Sequence, residues 1–273
     1  LQLKFQYQPA SGLQHVVSPQ NSVLKYISLN MLMLAPGEPY HGNSGGEEVA
    51  LVILTGTCGV KVANHHYEPI GGRKTVFDRA PHTVYIPCQT DYTVTAGNTP
   101  VEIAIGGSIS DRAGEPVLIT PQMVSYAPRG VWHWRRHIYD VITHVNPVSE
   151  RLIIIEVITP PGHWSSVPPH KHDVENPPYE SNLEEIYFYK MKPEQGFGFQ
   201  RIYTDDRSID AAFVVENNSV TIQPKGYHPV ANHPGYQMYY LNILGGENRA
   251  LLPYDDPQHV WVKDLEPIIK GRE

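Results

Sequence analysis

Residues 160–173 read Pro160-Pro161-Gly162-His163-Trp164-Ser165-Ser166-Val167-Pro168-Pro169-His170-Lys171-His172-Asp173, and an apolar run resumes at Leu183-Glu184-Glu185-Ile186-Tyr187-Phe188-Tyr189. In an extended segment, side chains two apart share a face, so His170 and His172 project together. The same alternation puts Glu185, Tyr187 and Tyr189 on one face of the next strand. A further histidine, His228, follows Pro224-Lys225-Gly226-Tyr227, just after the alternating run Val220-Thr221-Ile222. Imidazoles with a carboxylate form a donor set for zinc, manganese or iron. The expectation is one divalent metal held by His170, His172, Glu185 and His228. The chain has 14 histidines, so a His-x-His pair can also arise by chance. The two fixed φ angles of Pro168-Pro169 stiffen the approach to His170 and favour the metal reading.

Working outward, 273 residues suffice for one large domain or two smaller ones. The 22 glycines and 25 prolines are scattered, which means frequent turns between short segments, as in an all-β protein. A net charge of −7 without long basic runs argues against nucleic acid as a partner. Cys58 and Cys88 both lie in apolar, strand-like surroundings and read as buried thiols. The N-terminal residues lack the apolar stretch of a signal peptide, and the aliphatic run Val49–Leu54 is too short to cross a bilayer. The expectation is a soluble, cytoplasmic protein with no membrane partner.

Two halves repeat in outline. Ala35-Pro36-Gly37 ends an apolar segment, as Pro160-Pro161-Gly162 does later. Glu47-Glu48 precedes Val49–Leu54 as Glu184-Glu185 precedes Ile186–Tyr189, and Val84-Tyr85-Ile86-Pro87 answers Val220-Thr221-Ile222-Gln223-Pro224. This predicts two small barrels of short strands in tandem. The expected boundaries are a first barrel over 1–106, a connector packing on both over 107–150, and a second barrel over 151–273. Only the second carries the metal residues; the corresponding stretch of the first reads Tyr40-His41-Gly42-Asn43. In the connector, Val131-Trp132-His133-Trp134-Arg135-Arg136-His137 reads as an interdomain or intersubunit packing segment, which leaves a homo-oligomer open.

These residues resemble the cupins, whose first motif is a glycine, a His-x-His and a downstream glutamate, and whose second places a histidine after a Pro-x-Gly turn. Here the matches are Gly162, His170-Lys171-His172, Glu185 and Pro224-Lys225-Gly226-Tyr227-His228. Gly162–Ser166, Pro168–Asp173, Gln195–Asp210 and Gly226–Val230 are similar to the two-cupin family of 5-deoxy-glucuronate isomerases of bacterial inositol catabolism. The 5-keto-4-deoxyuronate isomerases are a more distant match. The resemblance implies a bicupin with two jelly-roll-like barrels. One departure stands out: twelve residues, 173–184, separate His172 from Glu185, where cupins usually have three or four. Glu175 and Glu184 are therefore rival ligands, with Glu185 favoured by strand parity.

The resemblance further implies an aldose–ketose isomerisation of 5-deoxy-glucuronate to 2-deoxy-5-keto-gluconate, a small sugar acid, with zinc or manganese, or else iron, as Lewis acid at the C1 and C2 oxygens. Candidate proton carriers are Tyr187, Tyr203 and Glu184. The anionic substrate calls for a clamp, for which Arg201 is the first choice and Arg207 or Lys225 the next. Tyr240 is expected to line the pocket. Competing readings are a 5-keto-4-deoxyuronate isomerase, a metal-dependent cupin dioxygenase and a non-catalytic sugar-binding cupin.

Overall fold

The computed structural model describes residues 1–271 and arranges them as two barrels, each built from a large sheet and a small one. In the first, a six-stranded sheet containing Ile27–Leu34, Glu47–Thr55 and Val101–Ile109 faces the four strands Pro39–Asn43, Asp91–Ala96, Thr57–Val62 and His65–Gly71. In the second, an eight-stranded sheet centred on Ile153–Thr159, Glu180–Lys192 and Gln237–Gly246 faces Trp164–Ser165, Val230–Asn232, Phe197–Tyr203 and Asp210–Glu216. The paired strands of the large sheets run antiparallel. Among the described residues no helix is long and apolar enough to cross a membrane.

The alternation of side chains explains the packing. Along Glu180–Lys192, Tyr187 and Tyr189 turn into the second barrel, beside Ile155, Val157, Val230 and Tyr240. Ile186 and Phe188 turn the other way and join Leu241, Ile243, Leu29, Met31 and Ala104 in a cluster where the two large sheets stack. Those strands are buried on both faces, which is why they read as continuous apolar runs. Each such Leu, Ile or Phe contributes roughly 1.5–3 kcal/mol when fully buried. The first barrel is filled by aliphatic side chains such as Leu51, Ile53, Val60 and Val94. The second holds tyrosines and an open cavity.

The boundaries differ from those expected. Lys4–Gln6 leaves the first half and pairs with Ser219–Gln223 of the second sheet. The 107–150 stretch is not a separate connector: Val117–Ile119 completes the first large sheet against Thr83–Ile86, whereas Ser125–Arg129 and Arg136–Ile142 extend the second. The aromatic and basic residues around 131–137 hid the start of Arg136–Ile142, because one face of that strand borders a polar cavity and lacks the usual apolar alternation.

One buried ion pair crosses the seam. Arg73, from the first half, forms two hydrogen bonds to Glu156 at 2.6 and 3.0 Å, and Tyr239 donates to the same carboxylate at 2.7 Å. Other Arg73 donors reach the carbonyls of Ile53, Leu54 and Arg79, so every nitrogen of the desolvated guanidinium has a partner.

Candidate active site and metal centre

His172, Glu185 and His228 come together inside the second barrel, with one ligand atom from each lying within 4.8 Å of the others. The backbone brings them there by three devices. The twelve-residue stretch between His172 and Glu185 folds back as a hairpin, with Asp173 opposite Asn182 and Asn176 opposite Glu180, so Leu183 N–H bonds His172 C=O at 2.9 Å and Glu185 follows two residues on. Pro177-Pro178 occupies the hairpin tip. Strand parity then turns Glu185 inward. The turn before His228 needs Gly226, whose φ is +96° and where a Cβ would stand 2.7 Å from the Tyr203 carbonyl.

The two buried imidazoles are oriented alike. His172 Nδ1 bonds the Leu183 carbonyl at 2.6 Å, and His228 Nδ1 bonds the Gly226 carbonyl at 2.8 Å. With both Nδ1 protons donated to carbonyls, both Nε2 atoms face Glu185 Oε2, at 3.1 and 3.2 Å. The 3.2 Å approach of His228 is a close contact without hydrogen-bond geometry, and its Nε2 has no partner. Two imidazole lone pairs directed at a carboxylate require a cation between them, either a proton or a metal. Burial would raise Glu185, but His172 and His228 outweigh it and hold the carboxyl down to about 2. His170 borders the same space, its ring 4.9 Å from that of His228 and 6.4 Å from that of His172. Burial and the two neighbouring rings push His170 well below the ordinary imidazole range. The donor set fits a divalent ion, with His170 on the open side.

A cavity of about 840 Å³ opens from this cluster, lined among others by Ser165, Ser166, Tyr187, Tyr240, Asn242 and Arg136. Tyr187 and Tyr240 lie ring to ring at 4.7 Å, and the Tyr187 ring is 5.9 Å from that of His228. Burial, then the Glu185 charge, pushes Tyr187 well above the ordinary phenol range, and burial pushes Tyr240 up to about 12. Both are therefore neutral O–H groups at physiological pH, and Tyr240 is bonded to Ser165. The mouth is bordered by the C-terminal segment: Tyr254–Asp255 pairs with His170–Lys171, and Trp134 Nε1 reaches Glu266 at 3.4 Å.

Several expected residues lie elsewhere. Glu184 points to the seam and accepts the backbone N–H groups of Lys25 and Tyr26 at 2.8 and 2.9 Å, which removes it as a proton carrier. Glu175 sits on the exposed hairpin and accepts from Asn182 N–H. Tyr203 is buried outside the cavity, donating to Asp256 at 2.7 Å with the guanidinium groups of Arg201 and Arg207 each 4.4 Å from its ring. Arg201 faces outward and pairs with Asp210 through two 2.8 Å bonds, so it is no clamp for a ligand in the cavity. Gln200 and Ile202 are the inward residues of that strand. Arg136, read from sequence only as part of a packing segment, lies on the cavity wall with Arg129 and Arg135; its spacing of two from Ile138, which lines the same wall, was the available signal.

A two-barrel cupin with a His/Glu cluster in its second barrel is the class that fold and site define. The oxalate decarboxylase of Lactobacillus farciminis shares the fold, with a TM-score of 0.68 at 12% identity over 97% of this chain and 90% of that one. The chain belongs to the KduI/IolB family, whose sequence profile matches residues 3–262. It is 39% identical to the 5-deoxy-glucuronate isomerase of Geobacillus kaustophilus over 94% of this chain and 93% of that protein. It is also 39% identical to the 5-deoxy-glucuronate isomerase of Bacillus subtilis strain 168, over 92% of each. The crystal structure of an IolB-like protein from Salmonella typhimurium LT2 superposes with a TM-score of 0.92 at 35% identity, covering 96% of this chain and all of that one. The chain is thus an isomerase. That excludes the dioxygenase and the non-catalytic binding module as its function.

Proposed function

We propose that the chain converts 5-deoxy-glucuronate to 2-deoxy-5-keto-gluconate, an aldose–ketose isomerisation in the cytoplasmic breakdown of myo-inositol. The observation that carries this reading is the convergence of His172, Glu185 and His228, with both Nδ1 atoms committed to carbonyls, at the end of a cavity walled by neutral tyrosines. The relatives' activity supplies the substrate.

His170, His172, Glu185 and His228 would hold a divalent ion, zinc or manganese in preference to iron, which supplies Lewis acidity toward a carbonyl and its neighbouring hydroxyl. The chain's own residues supply the rest. Leu183 and Gly226 fix the tautomers of two ligands through their carbonyls. Tyr187 Oη stays protonated and can donate to the oxygen on which charge develops as the carbonyl moves from C1 to C2. Ser165 fixes the Tyr240 hydroxyl, which lies on the same wall and can hold a second substrate oxygen. Of the proton carriers expected from sequence, Tyr187 alone lies on the cavity wall.

The test is direct. Metal-loaded protein incubated with 5-deoxy-glucuronate should give the 2-deoxy-5-keto acid by NMR. No conversion of this compound, with turnover of a 5-keto-4-deoxyuronate instead, would transfer the chain to the other branch of its family.

A further inference from the structure

We infer that Arg136 receives the carboxylate of the substrate, so that the cavity grips a sugar acid at two poles: the His/Glu cluster at the carbonyl end and one guanidinium at the acid end. The inference rests on the proposed isomerase reading and assigns the residue that selects an acid over a neutral sugar.

Placement is the first support. Arg136 begins the strand Arg136–Ile142, which lies between Ser125–Arg129 and Ile153–Thr159, and Arg136 and Ile138, two apart, both line the cavity that holds Glu185, Tyr187 and Tyr240. Pairing is the second. Among the described residues Arg136 makes no ion pair; its Nη1 reaches only the Trp134 carbonyl, at 3.5 Å, which is a weak hydrogen bond. The other cationic groups on this wall or near it are engaged: Arg129 with Asp140, Lys263 with Asp255, Lys270 with Glu266, and the sequence-favoured Arg201 with Asp210, and Arg135 is engaged as well. Burial pushes the Arg136 guanidinium below its ordinary value, although Tyr240, Tyr187 and, beyond ion-pair distance, Glu266 work in the opposite direction. A desolvated cation without a counter-ion is costly, and an anionic ligand offsets that cost.

The third support is a second unmet group. The side-chain carbonyl oxygen of Asn242 is buried and has no partner, and Asn242 stands opposite Tyr187 in the strand register, on the cavity wall. A hydroxyl-bearing ligand between the two poles would satisfy it. An isolated guanidinium and an orphaned amide oxygen on one wall match a polyhydroxy acid. The planar fork of arginine suits a carboxylate, because two parallel N–H donors meet its two oxygens.

The experiment compares an acid with its neutral counterpart. Calorimetric binding of D-glucuronate and D-glucose to the metal-loaded protein is measured alongside KM and kcat for 5-deoxy-glucuronate, in wild type, Arg136→Gln and Arg136→Lys. In Arg136→Gln, KM for the acid and Kd for D-glucuronate should rise by about 100-fold, as for other truncated buried charge pairs, with metal content and D-glucose binding unchanged. Arg136→Lys should fall between, since it keeps the charge and loses the fork. If Arg136→Gln does not fold, Arg136→Lys carries the test: selective weakening of the acid supports the assignment, and equal weakening of both sugars, or of neither, overturns it. Binding is read without turnover. Wild type that prefers D-glucuronate but leaves 5-deoxy-glucuronate unconverted would therefore defeat the isomerase reading of this substrate and not the role of Arg136.

Discussion

Glu48 and Glu184 make the same contact in opposite directions across the seam between the barrels. Glu48, on a first-barrel strand, accepts the backbone N–H groups of Glu150, Arg151 and Leu152, just before Ile153–Thr159 of the second sheet. Glu184, on a second-barrel strand, accepts those of Lys25 and Tyr26, just before Ile27–Leu34 of the first. Each carboxylate thus satisfies the loose amides at the start of the other barrel's strand. In that register Val49 stands in the first barrel where Glu185 stands in the second, paired with Ile86 as Glu185 is with Gln223. The two Glu-Glu pairs are therefore offset by one residue: each supplies a carboxylate to the seam, but the next, barrel-facing position is apolar Val49 in the first barrel and Glu185, with histidines around it, in the second.

Glu184→Gln follows from that division of labour. It should cost about 1–3 kcal/mol of stability, because a charge-assisted acceptor for buried amides is weakened. It should leave metal content and kcat within about twofold of wild type on the mutational scale for residues outside the chemistry. Thermal unfolding and steady-state assays check both; a kcat loss of the size expected for Tyr187→Phe would return Glu184 to the reaction.

Tyr187→Phe should lower kcat by about 10²–10³, the usual cost of losing one donor to developing charge, with a smaller change in KM. Removing the hydroxyl leaves the ring packing against Tyr240 in place, so the melting temperature should move little. Unchanged kcat in folded, metal-loaded Tyr187→Phe would rule out the hydroxyl as the donor.

How far the chain could be read depended on whether polarity followed the strand alternation. It did along 183–189: parity alone put Glu185 and Tyr187 on the cavity side and Glu184 on the far face. It failed along 197–203, where an aromatic and an arginine, Phe199 and Arg201, face outward while polar Gln200 is buried and bonded to the Tyr189 hydroxyl. Inside a polar cavity the sign of the pattern inverts, and sequence gives no warning. Arg136 was missed for the same reason, since a charged residue heading a strand reads as surface. The repeat of the two barrels was legible because each half keeps its apolar runs and its Glu-Glu pair. The pairing of Lys4–Gln6 with the opposite barrel was not, because three residues carry no pattern.

Arg201→Ala tests the corrected placement. The Arg201–Asp210 pair is exposed, with 46% and 37% of the two side chains accessible, so its loss should cost no more than about 1 kcal/mol. KM for the acid should stay at the wild-type value, in contrast to Arg136→Gln. A KM rise in Arg201→Ala that matched the Arg136 variant would mean that the outer face of the strand takes part in binding.

Metal removal links the site to the fold. An ion that binds the folded chain and not the unfolded one stabilises it by about 4 kcal/mol at a thousandfold excess over Kd. Chelated protein should therefore melt lower than protein supplied with zinc or manganese, and the rise on adding back the ion should be concentration-dependent. His172→Ala and Glu185→Gln should abolish that rise, because each removes one of the three converging donors. His170→Ala should keep part of it, since its ring stands on the open side, 6.4 Å from that of His172. Activity should follow bound metal across the three variants. If no divalent ion shifts the melting of chelated wild type, the unpartnered Nε2 of His228 has some other occupant, and the Lewis-acid part of the proposal goes with it.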